Sequence, residues 1–252
     1  LFSLCNLRAS VALRHLVVAR GVEGARATWW ACLWLFNPIA IQISTRGNAD
    51  GLTCCLVLEF LLAMRRKRTV WSGVLLGFLV HTRIYPAVFA LPAWLSLGGP
   101  WWWPSQRRLA LALPAALVFA LLCAVFHVLY RGEFWEHSFL YHATRRDHRH
   151  NFSVHHLWQY LTAEGAVPWW GLWVASVPQL VVLVVLGVSF PQLLETTVML
   201  QSVAFVAFNK VITAQYFMWY VCLMPVAAQD LRPGAGRRAC AALVAYGAAQ
   251  GL

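Results

Sequence analysis

The feature that most constrains this chain is a run, residues 109–130, that contains no Asp, Glu, Lys or Arg. A helix of that length crosses a hydrocarbon core of about 30 Å and satisfies its own backbone groups there. The run is one of a series: further apolar segments read at 1–19, 28–44, 51–64, 70–80 with 86–97, 166–189, 194–208, 215–229 and 239–252. Together they predict an all-α fold, a polytopic transmembrane helix bundle, with residues 1–252 forming a single multi-pass domain. Composition points the same way. Hydrophobic residues make up 60% of the chain and charged ones 12%, about half the charge a water-facing surface needs. A soluble enzyme, a disordered chain and a secreted disulfide scaffold are excluded on these grounds. The chain begins at Leu1, and the runs at 1–19 and 239–252 read as incomplete spans, so it is expected to be a fragment lacking both ends.

The net charge of +11 would suggest nucleic acid in a soluble protein. Here the cations fall between apolar runs, where they report topology, and no nucleic-acid partner is expected. With 70–97 taken as two half-helices around a break, the linkers bearing Arg20 and Arg26, Arg65 to Arg68, Arg107 and Arg108, and Arg232, Arg237 and Arg238 all fall on one side. Short basic linkers make that side cytoplasmic. The other side then receives 44–50, the break at 81–86, a long loop at about 131–165, and 209–215. Every polar stretch with chemical potential arrives at one membrane edge. The seven cysteines form no C-x-x-C pair and lie in apolar segments, where they read as small buried hydrophobes.

The loop 131–165 carries Arg131, Arg145, Arg146 and Arg149 on the side where cations are disfavoured. An anionic ligand would justify them, because the guanidinium fork matches phosphate oxygens and the anion native to a bilayer is a lipid phosphate. Within it, His142, Arg145, Arg146, Asp147, His148, Arg149 and His150 read as a phosphate clamp, with a plain solvated loop or a zinc site of His142, His148 and His150 as the other readings. In the stretch Arg46-Gly47-Asn48-Ala49-Asp50, Asn48 or Asp50 is a helix N-cap or, alternatively, a polar group that orients a sugar hydroxyl or takes a proton. His81, Arg83 and Tyr85 precede Pro86, a helix breaker. Ionisable groups inside an apolar run mark a pathway or site, or else snorkel to the interface. Asn209 and Lys210, followed by Thr213, Gln215, Tyr216, Trp219 and Tyr220, suit a sugar or headgroup, or form part of an aromatic interface belt, as Trp101 to Trp103 do. Glu59, alone in its span, is expected to face the bundle interior or to be neutral. Asn151-Phe152-Ser153 is a glycosylation sequon expected to stay unmodified, because a glycan would obstruct the site.

Taken together, Arg46 to Asp50, His81 to Pro86, Tyr141 to Ser153 and Asn209 to Tyr220 resemble the PIG-M type of mannosyltransferases, which add the first mannose in glycosylphosphatidylinositol (GPI) anchor synthesis; the resemblance runs from about residue 28 to 230. It implies a GT-C-like architecture in the endoplasmic reticulum membrane with a lumenal active site. The implied donor is dolichyl-phosphate mannose and the acceptor a glucosaminyl-(acyl)phosphatidylinositol lipid, with an α1,4 linkage formed. A small single-span accessory subunit of the PIG-X type is the implied protein partner. On this reading Arg46, Asn48, His81, Arg83, Tyr85, His142, Arg145, Arg146, Arg149, His150, Asn209, Lys210 and Gln215 bind substrate, and Asp50 and Asp147 are the candidate catalytic acids. No metal and no cofactor is called for.

One departure stands out. The family carries an acidic D-x-D-type motif in its first lumenal loop, and this chain has no D-x-D among its nine acids. If the 252 residues are a complete product, the expectation is an inactive transferase, because no base is placed to activate the acceptor hydroxyl. The competing function is a transporter or flippase for an anionic lipid or sugar phosphate. It accounts for the broken helix at 81–86 but not for polar clusters gathered on one face without an inverted repeat.

Overall fold

A computed structural model describes residues 1–141, 151–161 and 169–230. The described residues are helical and form no strand. The chain runs through α1 (Phe2–Ala19), α2 (Gly24–Leu35), α3 (Pro38–Thr45), α4 (Asp50–Arg65), α5 (Thr69–Thr82), a 3-10 turn (Tyr85–Phe89), α6 (Ala90–Ser96) and α7 (Gln106–Tyr130). After a short turn α8 (Gly132–Trp135) and a π-turn (Glu136–Leu140) come α9 (His156–Leu161), α10 (Trp169–Ser189) and α11 (Leu194–Phe208). The last described stretch is a chain of short turns, including α12 (Met218–Val221) and α13 (Met224–Ala227).

Three apolar runs break where local chemistry demands it. The run 28–44 splits at Asn37, whose side chain accepts from Ile39 N at 2.9 Å as the N-cap of α3, with Pro38 at the first helical position. The run 70–97 splits at Arg83, which is extended (φ −149°, ψ 129°), and Tyr85-Pro86 restarts the chain as a 3-10 turn. The run 215–229, expected to be one span, is instead a succession of turns, and Pro225, lacking an amide hydrogen, sits in the first turn of α13. Only α7 is long and apolar enough by itself to cross a bilayer among the described residues; 69–82, 176–189 and 194–208 are shorter apolar helices.

At the centre α4 packs between α1 and α5, and α5 lies along α7. Leu13, Leu16, Leu58, Phe60, Leu61 and Leu79 are fully enclosed there. Two glycines one helical turn apart, Gly73 and Gly77, let α5 and α7 touch backbone to backbone: a Cβ on either would fall 2.3 Å from the carbonyl oxygen of Leu111 or Ala115. In lipid, where hydrocarbon burial does not drive helices together, such close approach supplies the packing energy. On its outward side α7 presents Leu113, Leu117 and Leu121, each at least 60% exposed, an apolar stripe with a four-residue spacing.

Polar groups collect at the two ends of α4. At its C-terminal end, Arg65 pairs with Glu195 at 3.2 Å and Arg20 with both Glu195, at 3.7 Å, and Asp230. These contacts join α1, α4, α11 and the final turn. Of the linkers assigned to one side by charge, Arg20 meets Arg65 across Glu195, and 67–71 lie beside 106–110, while Arg232, Arg237 and Arg238 lie outside the described residues. Glu59 is not alone, since Arg8 reaches it at 2.7 Å.

Candidate functional site

The opposite end of α4 starts at Asp50, whose side chain is wholly buried. The turn before it is closed by Asn48, whose Oδ1 accepts from Asp50 N at 2.9 Å. The N-cap position itself is Ala49, with no side-chain cap, so neither Asn48 nor Asp50 is the N-cap; Asn48 closes the turn before the helix and the Asp50 side chain faces the bundle. Its Oδ1 receives the guanidinium of Arg83 at 3.0 Å and the indole N–H of Trp219 at 3.0 Å. Three stretches distant in sequence meet on one oxygen atom.

Each partner is placed by its element. Arg83 owes its position to the break after α5: the extended residue turns its side chain back toward the start of α4, and about a quarter (28%) of the side chain remains accessible. Trp219, on α12, stacks on Tyr85 with ring centroids 4.0 Å apart and on Tyr216 at 4.3 Å. Tyr85 also packs against Phe205 of α11, so the 3-10 turn is clamped between α11 and α12. Beside the ion pair, Asn48 donates from Nδ2 to Gln215 Oε1 at 2.7 Å. Four of the residues expected to bind substrate, Asn48, Arg83, Tyr85 and Gln215, are therefore neighbours of Asp50 or of its partners.

The fourth stretch is attached through Asn151. Its Nδ2 donates to Lys210 O at 2.9 Å, its Oδ1 accepts from Ile212 N at 2.9 Å, and Phe152 N donates to Ile212 O at 3.0 Å. Ser153 Oγ donates to Lys210 O at 2.8 Å. The residue that follows the basic stretch is thus pinned beside 210–212, a few positions before Gln215. His142, Arg145, Arg146, Asp147, His148, Arg149 and His150 themselves lie outside the described residues. The sequon nitrogen is the atom donating to Lys210, and Asn151 is only 7% exposed. Burial pushes the His155 imidazole below its ordinary range.

Other expected residues fall at the rim or away from it. Arg46 is exposed at the C-terminal end of α3, with no ion pair among the described residues. Asn209 and Lys210 form the bend after α11. His81 turns from the ion pair to a different set of rings, lying 5.9 Å from Phe134 and 5.1 Å from Phe126. Among the described residues no three His, Cys, Asp or Glu side chains gather as a metal site. The role of Trp219 as the hydrogen-bond donor to Asp50 was not visible in sequence. Its only signal was a tryptophan among the polar and aromatic residues of 209–220.

The site is a buried carboxylate holding an arginine whose other side is open, ringed by amides and aromatics. Such an arrangement presents a fixed guanidinium to an anion and flat apolar faces to a sugar. Comparison with known proteins gives the same direction. The family model described as "Mannosyltransferase (PIG-M)" matches residues 43–252. The catalytic subunit of GPI alpha-1,4-mannosyltransferase I from Danio rerio is 37% identical over 248 residues, covering 94% of this chain and 62% of that protein. GPI mannosyltransferase 1 of Eremothecium gossypii is 37% identical over 236 residues, 89% of this chain and 58% of its own length. GPI mannosyltransferase 1 of Kluyveromyces lactis is 38% identical over 206 residues, 77% of this chain and 51% of its own length. The chain spans a little over half the length of these relatives. The match covers the Asp50, Arg83, Asn151 and Trp219 stretches in one continuous alignment, and the chain belongs to the PIG-M family of mannosyltransferases.

Proposed function

We propose that this chain forms the substrate-holding part of an enzyme that transfers the first, α1,4-linked mannose of the GPI anchor from dolichyl-phosphate mannose to a glucosaminyl-(acyl)phosphatidylinositol lipid. The reaction takes place at the lumenal edge of the endoplasmic reticulum membrane, in a multi-pass bundle of GT-C type. The observation that carries the reading is the contact of Arg83 and Trp219 with Asp50, which brings three of the four distinctive stretches into one cluster. The relatives' names supply the reaction, and the apolar exterior of α7 supports a bilayer setting.

The chemistry follows from what the residues can do. The acceptor hydroxyl oxygen forms a bond to the anomeric carbon of mannose while the bond from that carbon to the phosphate oxygen breaks, with inversion. Dolichyl phosphate leaves with the bonding electrons, and the acceptor proton passes to a carboxylate. Charge accumulates on the leaving phosphate, so pre-placed guanidinium groups lower the barrier. Arg83 is such a group: Asp50 fixes its fork, leaving the other side for the phosphate. Arg46 and the sequence neighbours of Asn151, namely Arg145, Arg146 and Arg149, complete the cationic set, with His142, His150 and Lys210 as further substrate-binding residues. Asn48, Gln215, Asn209 and Tyr85 line the sugar side, and His81 backs the break. Asp50 is enclosed and already engaged, so it acts by positioning Arg83; Asp147 is the carboxylate of this chain assigned to the proton.

The test is mannolipid formation in microsomes of cells expressing the full-length protein. Arg145→Gln with Arg146→Gln, and separately Arg46→Gln, should each cut the rate by about ten-fold or more at unchanged protein level, the scale of removing one transition-state charge contact. Arg46 is exposed and has no ion pair among the described residues, so its replacement leaves folding intact. Undiminished mannosylation in both variants would overturn the assignment.

A further inference from the structure

The end of the molecule remote from Asp50 carries a second concentration of positive charge that the proposed reaction does not use. No Asp or Glu occurs between residues 60 and 132, while Arg65, Arg66, Lys67, Arg68, Arg107 and Arg108 all fall there, around one helical hairpin. Two of the six are accounted for. Arg65 pairs with Glu195. Arg108 is buried and donates only to backbone carbonyls, those of Trp94 at 3.1 Å, Gly99 at 3.0 Å, Trp103 at 2.8 Å and also Pro100, so it adds charge without a counterion.

Arg66 is exposed but does not line the cleft; Lys67, Arg68 and Arg107 border an open cleft of about 610 Å³ between the α4–α5 turn and the start of α7, together with Thr69, Trp71 and Gln106 among others. That is within the range of small-molecule pockets, roughly 300–1,000 Å³. Lys67, Arg68 and Arg107 are exposed and have no carboxylate among the described residues. Lys67 sits at positive φ (57°), the tight turn that folds the side chains of 67 and 68 toward α7. Two helices begin at the cleft. The first turn of α5 has no side-chain cap, so its amides are unspent, and the first turn of α7 has one amide capped by Ser105. Like charges crowded at two positive helix ends repel unless an anion sits among them.

We propose that this cleft seats the phosphate of an anionic bilayer lipid, as a site distinct from the one around Asp50. The choice of a lipid over a free phosphate rests on the tryptophans. Trp71, at the cleft, and Trp101, Trp102 and Trp103, in the linker to α7, are all more than half exposed. Rings of this type settle at headgroup depth, which sets the cleft beside lipid phosphates. The two sites are separated by the length of α4, about 24 Å for 16 residues at 1.5 Å each.

The experiment uses the full-length protein in phosphatidylcholine nanodiscs doped with a photoactivatable phosphatidic acid, and maps the cross-linked peptides. Cross-links should concentrate in both 67–71 and 106–110. Lys67→Gln with Arg107→Gln should reduce them by about ten-fold or more, since each cation near a lipid phosphate contributes a several-fold factor. The charge-matched pair Arg26→Gln with Arg66→Gln, outside the cleft, should reduce them by less than half that factor. Equal losses in the two double variants mean general attraction to a basic surface and overturn the site, as do cross-links spread evenly along the chain. Competition by inorganic phosphate, with retention of that phosphate by the detergent-solubilised protein, overturns the lipid as ligand. The mapping on the unaltered protein stands even if a variant fails to fold.

Discussion

Replacing Asp50 by Asn keeps the shape of the side chain and removes the charge that faces Arg83. The carboxylate is wholly enclosed and its ion pair is buried on that side, so Asp50→Asn should cost about 3–5 kcal/mol, the scale of stranding one member of a buried pair. Trp219→Phe keeps the stack on Tyr85 and Tyr216 and deletes the N–H donor alone, with an expected cost of about 1.5–3 kcal/mol. Thermal unfolding in detergent ranks the two. A larger loss for Trp219→Phe would mean that the indole, and not the charge pair, organises the cluster. At Asn151 the expectation is the absence of modification. The nitrogen that would carry a glycan is spent on Lys210 and the side chain is enclosed. Glycosidase treatment should leave the electrophoretic mobility of the protein unchanged; a shift abolished by Asn151→Gln would show that the loop binds Lys210 only in some of the molecules.

At the scale of elements, charge and proline punctuation made the helix ends readable. Arg65 to Arg68 close α4, Pro38 opens α3, and Tyr85-Pro86 breaks the run that begins at Thr69. The convergence of four polar stretches was legible because polar groups in an apolar chain have few places to go, and alternation of spans sends them to one edge. What sequence could not show is pairing across space. Gly73 and Gly77 are four apart, a spacing that invites close packing, yet only the structure shows that α7 is the partner and that Leu111 and Ala115 take the contact. Likewise, nothing local to Arg108 marks it as a buried ligand of the 94–103 backbone carbonyls rather than one more basic linker residue. The run 215–229 misled because its apolar content is that of a span, while its turns come from tertiary packing against α4 and α11. The glycine contact gives its own prediction. Gly77→Ala must push a methyl into the carbonyl of Ala115, so the helices have to part, at a cost of about 1–3 kcal/mol. The same change at Gly98, which has open space around it, tests backbone strain alone because its φ is +78°. A milder effect for Gly77→Ala than for Gly98→Ala in melting temperature would show that α5 and α7 yield without penalty.

The described bundle is organised along α4, with the Asp50, Arg83 and Trp219 cluster at one end and an ionic knot of Arg20, Arg65, Glu195 and Asp230 at the other. If the bundle spans a bilayer, these ends face different compartments, and that arrangement can be read by labelling. Cys54, Cys55, Cys123 and Cys222 are buried, and Cys5 and Cys32 are half-buried, so replacing all seven cysteines by Ser or Ala gives a quiet background. Single cysteines then go in at four exposed positions: Arg46→Cys and Phe152→Cys near the candidate site, Lys67→Cys and Arg107→Cys at the far end. In sealed microsomes an impermeant maleimide applied from outside should label positions 67 and 107 and leave 46 and 152 unmodified until the membrane is opened. The pairs are diagnostic because each joins parts of the chain separated by one or more helices. Labelling of 46 without 152, or of 67 without 107, would mean that contacts seen within the bundle do not share a membrane face. Placing the site in the lumen depends on which pair reacts first. Basic linkers favour the cytoplasm by roughly a kcal/mol per cation near an anionic leaflet, and four cations at 65–68 with two at 107–108 make that bias the strongest topological force in the chain.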